Sequence, residues 1–275
     1  MSLVNSLLTA EACLVVCDTQ AGTFRATGPT GFASKVVPIQ RLGVLIASTG
    51  SGDLFDRWLT HLQLSIGSDL DDVLPIQPAL LKGIFNALDD RSAHRSSLFI
   101  WGWSRQAQRV QGWIMHSRDD FEPVALADGY TLKPPPSDVA ALEAIPTTGS
   151  SLDRMVEIVA RQVADDRERR ARSEYISATD GASDPLLLGG DLLAFVLRAP
   201  PTPGGSVHIE SWTVGPIEGA ESDRLRVLMS GHGGLDVTLH RIRMNRRAER
   251  IGRPVALALL WCERALALLR LRRRS

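Results

Sequence analysis

Lysine is nearly absent from this chain: Lys35, Lys82 and Lys133 are the only three among 31 basic residues in a sequence of 275. Arginine carries almost all the positive charge, so each lysine is more informative than usual. Cysteine is equally sparse. Cys13, Cys17 and Cys262 form an odd set with neither Cys-x-x-Cys nor histidine-rich spacing, which excludes a disulfide framework or a zinc site and suits a reducing compartment. There is no net charge, with 31 acidic residues against 31 basic, so no overall field favours nucleic acid or an anionic membrane. Residues 1–20 lack the basic start, long apolar stretch and small-residue cleavage site of a secretory signal. The expected location is therefore cytoplasmic. No metal and no organic cofactor is implied.

What is present is enough apolar surface for a packed core, 44% of residues. The runs 3–8 (LVNSLL) and 12–17 (ACLVVC), joined by Thr9, Ala10 and Glu11, predict a β-hairpin. A Gly/Thr/Pro-rich loop follows, and then "KVVPIQRLGVLIAS" predicts two strands around Gln40 and Arg41. Leu54, Trp58, Leu59 and Leu62 recur at helical spacing over 53–64, with Asp53 as N-cap or first-turn acid, and a second helix is expected over 76–90. "SLFIWGW" and "RVQGWIMH" return to strand patterning. After the break "KPPPSD", residues 151–172 predict a long helix capped by Ser151, and "LLLGGDLLAFVLRA" another strand.

This order gives an α+β fold, two stacked antiparallel sheets flanked by helices, over residues 1–199. "PPTPGG" at 200–205 reads as a linker to a second unit, 206–275, with three more strands and a terminal helix at about 253–272.

A small set of positions carries chemistry. "VVCDTQ" ends a strand on Asp18, "ASKV" places Lys35 at the head of a strand, and "LIASTGSGDLFDRWL" runs from a strand through a Gly-rich turn into a helix. With Ser2 one position from the start, this layout resembles the proteasome β-subunit branch of the N-terminal nucleophile (Ntn) hydrolases, over about residues 2–199. The resemblance implies an αββα sandwich and an amide hydrolase or peptidase. Ser2 would be the nucleophile once Met1 is removed, with its own α-amine as base, Lys35 and Asp18 supplying the electrostatics, and backbone amides at Ser48 or Gly50 forming the oxyanion hole. Such chemistry requires amine and hydroxyl on one residue, a nearby cation to keep the amine unprotonated, and N–H groups aimed at the oxyanion. Its substrate would be a peptide or other amide.

The same residues have plainer readings. Met-Ser is a common start, an aspartate at a strand end often caps the backbone, and Lys35 can be a solvated residue. Cys13 and Cys17 share one strand face as small buried apolar groups, and His232 in "SGHGG" sits in a glycine turn. The alternative function is a non-catalytic structural subunit of a homo-oligomer or larger assembly, such as a phage particle, in which case the location is the virion. Loss of the family's Ser-Gly loop, replaced by "TLKPPPSD", and the arginine-rich end favour it.

That end, 240–275, holds eleven arginines against Glu249 and Glu263. No uncharged run there approaches the roughly 18 residues of a membrane span. The expected role is docking on its own domain or a neighbouring subunit; a membrane-surface helix and a nucleic-acid-binding tail are the other options.

Overall fold

Thr9 closes the first turn: its Oγ1 accepts from the backbone N–H of Ala12 at 3.0 Å, and its own N–H donates to the Ala12 carbonyl at 2.9 Å. The strands β1 (Val4–Leu8) and β2 (Ala12–Asp18) pair in antiparallel register from Val4 with Cys17 to Leu8 with Cys13, the hairpin expected from the two apolar runs. In the computed structural model, residues 3–21, 31–88, 95–135, 150–171, 188–202 and 204–217 are described.

Short strands β3 (Gln20–Ala21) and β4 (Gly31–Phe32) pair with each other. Strand β5 (Val36–Ile39) then turns through a 3-10 segment into β6 (Val44–Thr49), with Gly43 left-handed at φ 60°. Helix α1 (Gly52–Leu64) begins at Ser51, whose side chain accepts from the Leu54 N–H, so Asp53 serves as the first-turn acid and Ser51 as the cap. The helix expected over 76–90 is α3 (Gln77–Asn86), preceded by a one-turn α2 (Leu70–Val73) too short to show a period. Strands β7 (Ser97–Ser104), β8 (Arg109–His116), β9 (Val124–Ala125) and β10 (Gly129–Lys133) follow. Helix α4 (Ser151–Ala171) is capped by Ser150 rather than Ser151: the Asp153 N–H donates to Ser150 Oγ at 3.2 Å, and the Ser150 N–H donates to the Asp153 carboxylate at 2.9 Å.

Two five-stranded antiparallel sheets result, in the orders β10-β1-β2-β11-β12 and β5-β6-β7-β8-β9. Period-two alternation gives each sheet two apolar faces. Between the sheets lie Val4, Leu8, Cys13, Val15, Cys17, Leu45, Phe99, Trp101 and Phe195. The outer face of the first sheet, with Leu14, Val16 and Ala194, packs against Met155, Ile158, Val159 and Val163 of α4. The outer face of the second, with Val44, Ile46, Leu98 and Ile100, packs against Leu54, Trp58 and Leu62 of α1 and Leu81 of α3. The layers run helix, sheet, sheet, helix.

The boundary expected near 205 is corrected. Strand β11 (Asp191–Arg198) pairs along its whole length with β12 (His208–Pro216), so the first sheet continues across the Pro/Gly stretch. The reason is burial: Ile209 joins the core between the sheets and Ile217 the layer under α4, which a detached module would leave exposed. The further strands and the terminal helix expected beyond 217, together with His232 and Cys262, lie outside the described residues.

Candidate active site

Asp18 ends β2 and is completely buried, and Lys35, just before β5, is 8% exposed. They form an ion pair through Lys35 Nζ and Asp18 Oδ1. The same Oδ1 accepts the Leu3 backbone N–H at 2.9 Å, and Oδ2 accepts the Gly189 N–H at 3.3 Å. The local cause is the chain's path. Asp18 is the last residue of a strand buried on both faces, so its side chain must find partners inside the protein. The segment before β5 brings in the cation, and the turn before β11 brings in an amide. Burial pushes the Asp18 carboxyl above its ordinary value, opposed by the Lys35 charge and the two N–H donors.

Of the residues predicted from the sequence, Asp18 and Lys35 therefore converge, and Leu3 joins them. Ser2, one peptide bond before Leu3, lies outside the described residues. Ser48 is corrected as an oxyanion donor, because its N–H donates to the Lys35 carbonyl at 3.1 Å and ties β6 to the lysine segment. Gly50 occupies the turn after β6 at φ 106°, and a Cβ there would sit 2.5 Å from the Arg95 carbonyl oxygen. Only glycine fits that turn.

Cys13 and Cys17 are free thiols on the inner face of β2. Burial raises both, Cys17 to about 12, so they behave as apolar groups. Among the described residues no cluster of His, Cys, Asp or Glu is arranged to hold a metal, and no helix is long and apolar enough to cross a membrane. A cavity of about 560 Å³, lined by Arg41, Trp103, Arg105 and residues of the 200–207 stretch, lies at the opposite end of β6 and β7 from the ion pair.

Sequence reasoning missed a second polar cluster, Ser97, His116 and Lys133, at the same end of the sandwich as Asp18. The registers place it there: Lys133 pairs with Val4, Val4 with Cys17, and Ser97 with both Thr49 and His116. Three residues from three strands have no spacing signature; the rarity of lysine was the only available signal.

No family model matches the chain, and no curated protein matches it. Among solved structures, the chain is similar to Anbu (ancestral beta-subunit) from Yersinia bercovieri at a TM-score of 0.49 and 10% identity, covering 86% of this chain and 95% of that one. It is similar to an Anbu (Gly-1) mutant from Hyphomicrobium sp. strain MC1 at a TM-score of 0.49 and 11% identity, covering 85% of this chain and 100% of that one. The membership of the proteasome β-subunit family expected from the sequence is overturned by the lack of any matching family model. The sandwich architecture stands on the strand pairings and the packing of the helices.

Proposed function

We propose that the chain is an amide hydrolase whose nucleophile is the hydroxyl of Ser2, made N-terminal by removal of Met1. The observation that supports this most directly is that one Asp18 oxygen takes both the Lys35 ammonium and the N–H of Leu3, the residue bonded to Ser2. A buried cation held this close to the chain start disfavours protonation of the α-amine, whose ordinary pKa is about 7.7–8.0. The amine then takes the hydroxyl proton as the Ser2 oxygen attacks the carbonyl carbon. The C–N bond breaks as the proton passes to the leaving amine, and water releases the acyl group by the reverse proton path. The Gly50 N–H is the remaining candidate for the oxyanion.

Intact mass of the untagged protein, followed by a peptide α′,β′-epoxyketone, tests this reading. Loss of Met1 and a single adduct linking the Ser2 oxygen and nitrogen is the expected result. Retention of Met1 in a protein purified without a tag would end it.

One observation favours a second reading, a non-catalytic subunit of a homo-oligomer or larger assembly. Both Asp18 oxygens are already occupied, so the pair can act as an internal staple. Ile66 at 80% exposure and Trp212 on the edge strand β12 offer apolar surface to a neighbouring copy. A multimer in solution that fails to react with the epoxyketone would support it. The cytoplasmic location belongs to the hydrolase reading.

A further inference from the structure

Ser97 opens β7 and His116 closes β8, and the two face each other across the antiparallel ladder. Ser97 Oγ lies 2.7 Å from His116 Nδ1. From the other sheet, Lys133 at the end of β10 reaches across the gap and hydrogen-bonds the same Oγ through Nζ. The ammonium also lies 5.7 Å from the centre of the Phe99 ring, within cation–π range. Ser97 itself is buried, and its two partners are half-buried. A hydroxyl therefore sits between an imidazole nitrogen and an ammonium, and among the described residues no carboxylate forms an ion pair with that ammonium.

The arrangement is held from both sides. The Lys133 backbone N–H donates to Asn5 Oδ1 at 3.0 Å, and Asn5 is locked in turn by Gln162 of α4, whose amide also donates to the Pro134 carbonyl at 2.6 Å. On the other sheet, the Ser117 N–H donates to the Ser96 carbonyl and the Ser96 N–H to Ser117 Oγ, both at 3.0 Å, fixing the register that sets serine opposite histidine. Reactive groups on supported strands are held more closely than groups on loops.

We propose that Ser97, His116 and Lys133 form a second acyl-transfer site, with Ser97 as nucleophile, His116 as its general base and Lys133 as the charge that stabilises the developing oxyanion. The substrate class is an ester or activated amide of a small acyl group, since the hydroxyl is buried between residues of the two sheets. Ser97 Oγ bonds to the carbonyl carbon as its proton moves to His116 Nδ1. The tetrahedral intermediate expels the alcohol or amine, which takes that proton, and water then attacks the acyl-serine with His116 again as base and frees the carboxylic acid.

The protonation states agree with these roles. Burial, and then the Lys133 charge, lower the His116 pKa, while Arg118 lowers it and Asp119 raises it more weakly. Histidine is thus neutral and able to accept near pH 7. Burial and Arg118 bring Lys133 down to about 8. It is still mostly an ammonium at neutral pH and loses its charge above about 8. The active state requires neutral His116 and charged Lys133 together, which defines a bell whose acid limb lies below the ordinary imidazole range and whose alkaline limb falls near 8.

The test is reaction of the full-length protein, and of a Ser2→Ala variant, with a fluorophosphonate, in which the serine oxygen bonds to phosphorus and fluoride leaves. Peptide mapping locates the adduct. The expected result is modification of Ser97 in both proteins, at a rate that rises as His116 loses its proton and falls again near pH 8. His116→Asn should slow it about 100-fold, and Lys133→Met about as much, with partial recovery in Lys133→Arg. Mapping on the unmutated protein needs no variant to fold. An unmodified Ser97, labelling of His116→Asn at the parent rate, or a rate that keeps rising through pH 8 overturns the proposal. An adduct on Ser2 alone overturns it and leaves the Ser2 reading intact, whereas an adduct on Ser97 with Met1 retained does the reverse.

Discussion

Leu3 and Asp18 are joined by a 2.9 Å hydrogen bond from backbone N–H to carboxylate, and the receiving oxygen is the one paired with Lys35. The start of β1, the end of β2 and the lead into β5 thus meet on one buried atom. Its partners stand or fall together.

Breaking this junction on one side should therefore cost far more than its net worth. Asp18→Asn leaves the Lys35 ammonium buried without its counter-charge, and Lys35→Met leaves the carboxylate in the same position, so each should lose about 3–5 kcal/mol in urea unfolding. The double variant should lose clearly less than the sum of the two. Additive losses would show that the groups do not interact.

Lys133 gives a pH-dependent signature. Its folded pKa of about 8 lies below its ordinary 10.5 because the ammonium is buried. Between these values the unfolded chain binds more protons than the folded one, so stability rises with pH from about 8 to 10.5 and the full cost of charging is felt below that window. Thermal unfolding followed across this range should show the slope in the parent protein and lose it in Lys133→Met. An unchanged slope would place the titration elsewhere.

Gly50 turns at φ 106°, where a Cβ would press on the Arg95 carbonyl and on Ser96. Gly50→Ala should cost more than about 1 kcal/mol, since strain and collision act together. Gly83, where an added Cβ meets nothing within 4 Å, should be stabilised or unchanged by the same substitution because helix propensity favours alanine. Denaturation midpoints of the two variants should move in opposite directions, or only the first should fall.

Trp101 is fully buried between the sheets and stacks on Phe99 with a centroid separation of 5.4 Å and an interplanar angle of 4°. Trp101→Ala should lose about 3–5 kcal/mol by transfer and cavity terms. Its indole N–H has no hydrogen-bond partner among the described residues, so Trp101→Phe should lose much less, the smaller ring removing a buried polar group along with volume. Equal losses in the two variants would mean that cavity volume does not set the cost.

The sequence by itself determined the elements and their faces. The interval between Leu54, Trp58 and Leu62 specified α1 and its buried stripe, and the alternation of Leu14 and Val16 with Val15 and Cys17 specified a strand covered on both sides. It also marked Asp18 and Lys35, through the resemblance of the segments "VVCDTQ", "ASKV" and "LIASTGSGDLFDRWL" to a known layout, although each residue taken locally reads as a backbone cap or a solvated lysine. Tertiary structure decided everything that depends on which strands become neighbours. The segment 206–217 reads as a strand under any partner, and only its pairing with β11 makes it part of the first sheet. Asn5 and Gln162, 157 positions apart, share their amides only after α4 lies across β1. Ser97 and Lys133 meet only because the two sheets stack with those strand ends at one mouth. Periodicity is a local record of burial, set within a few residues. Convergence of polar groups depends on register and sheet stacking, which are fixed by the summed burial of many distant side chains.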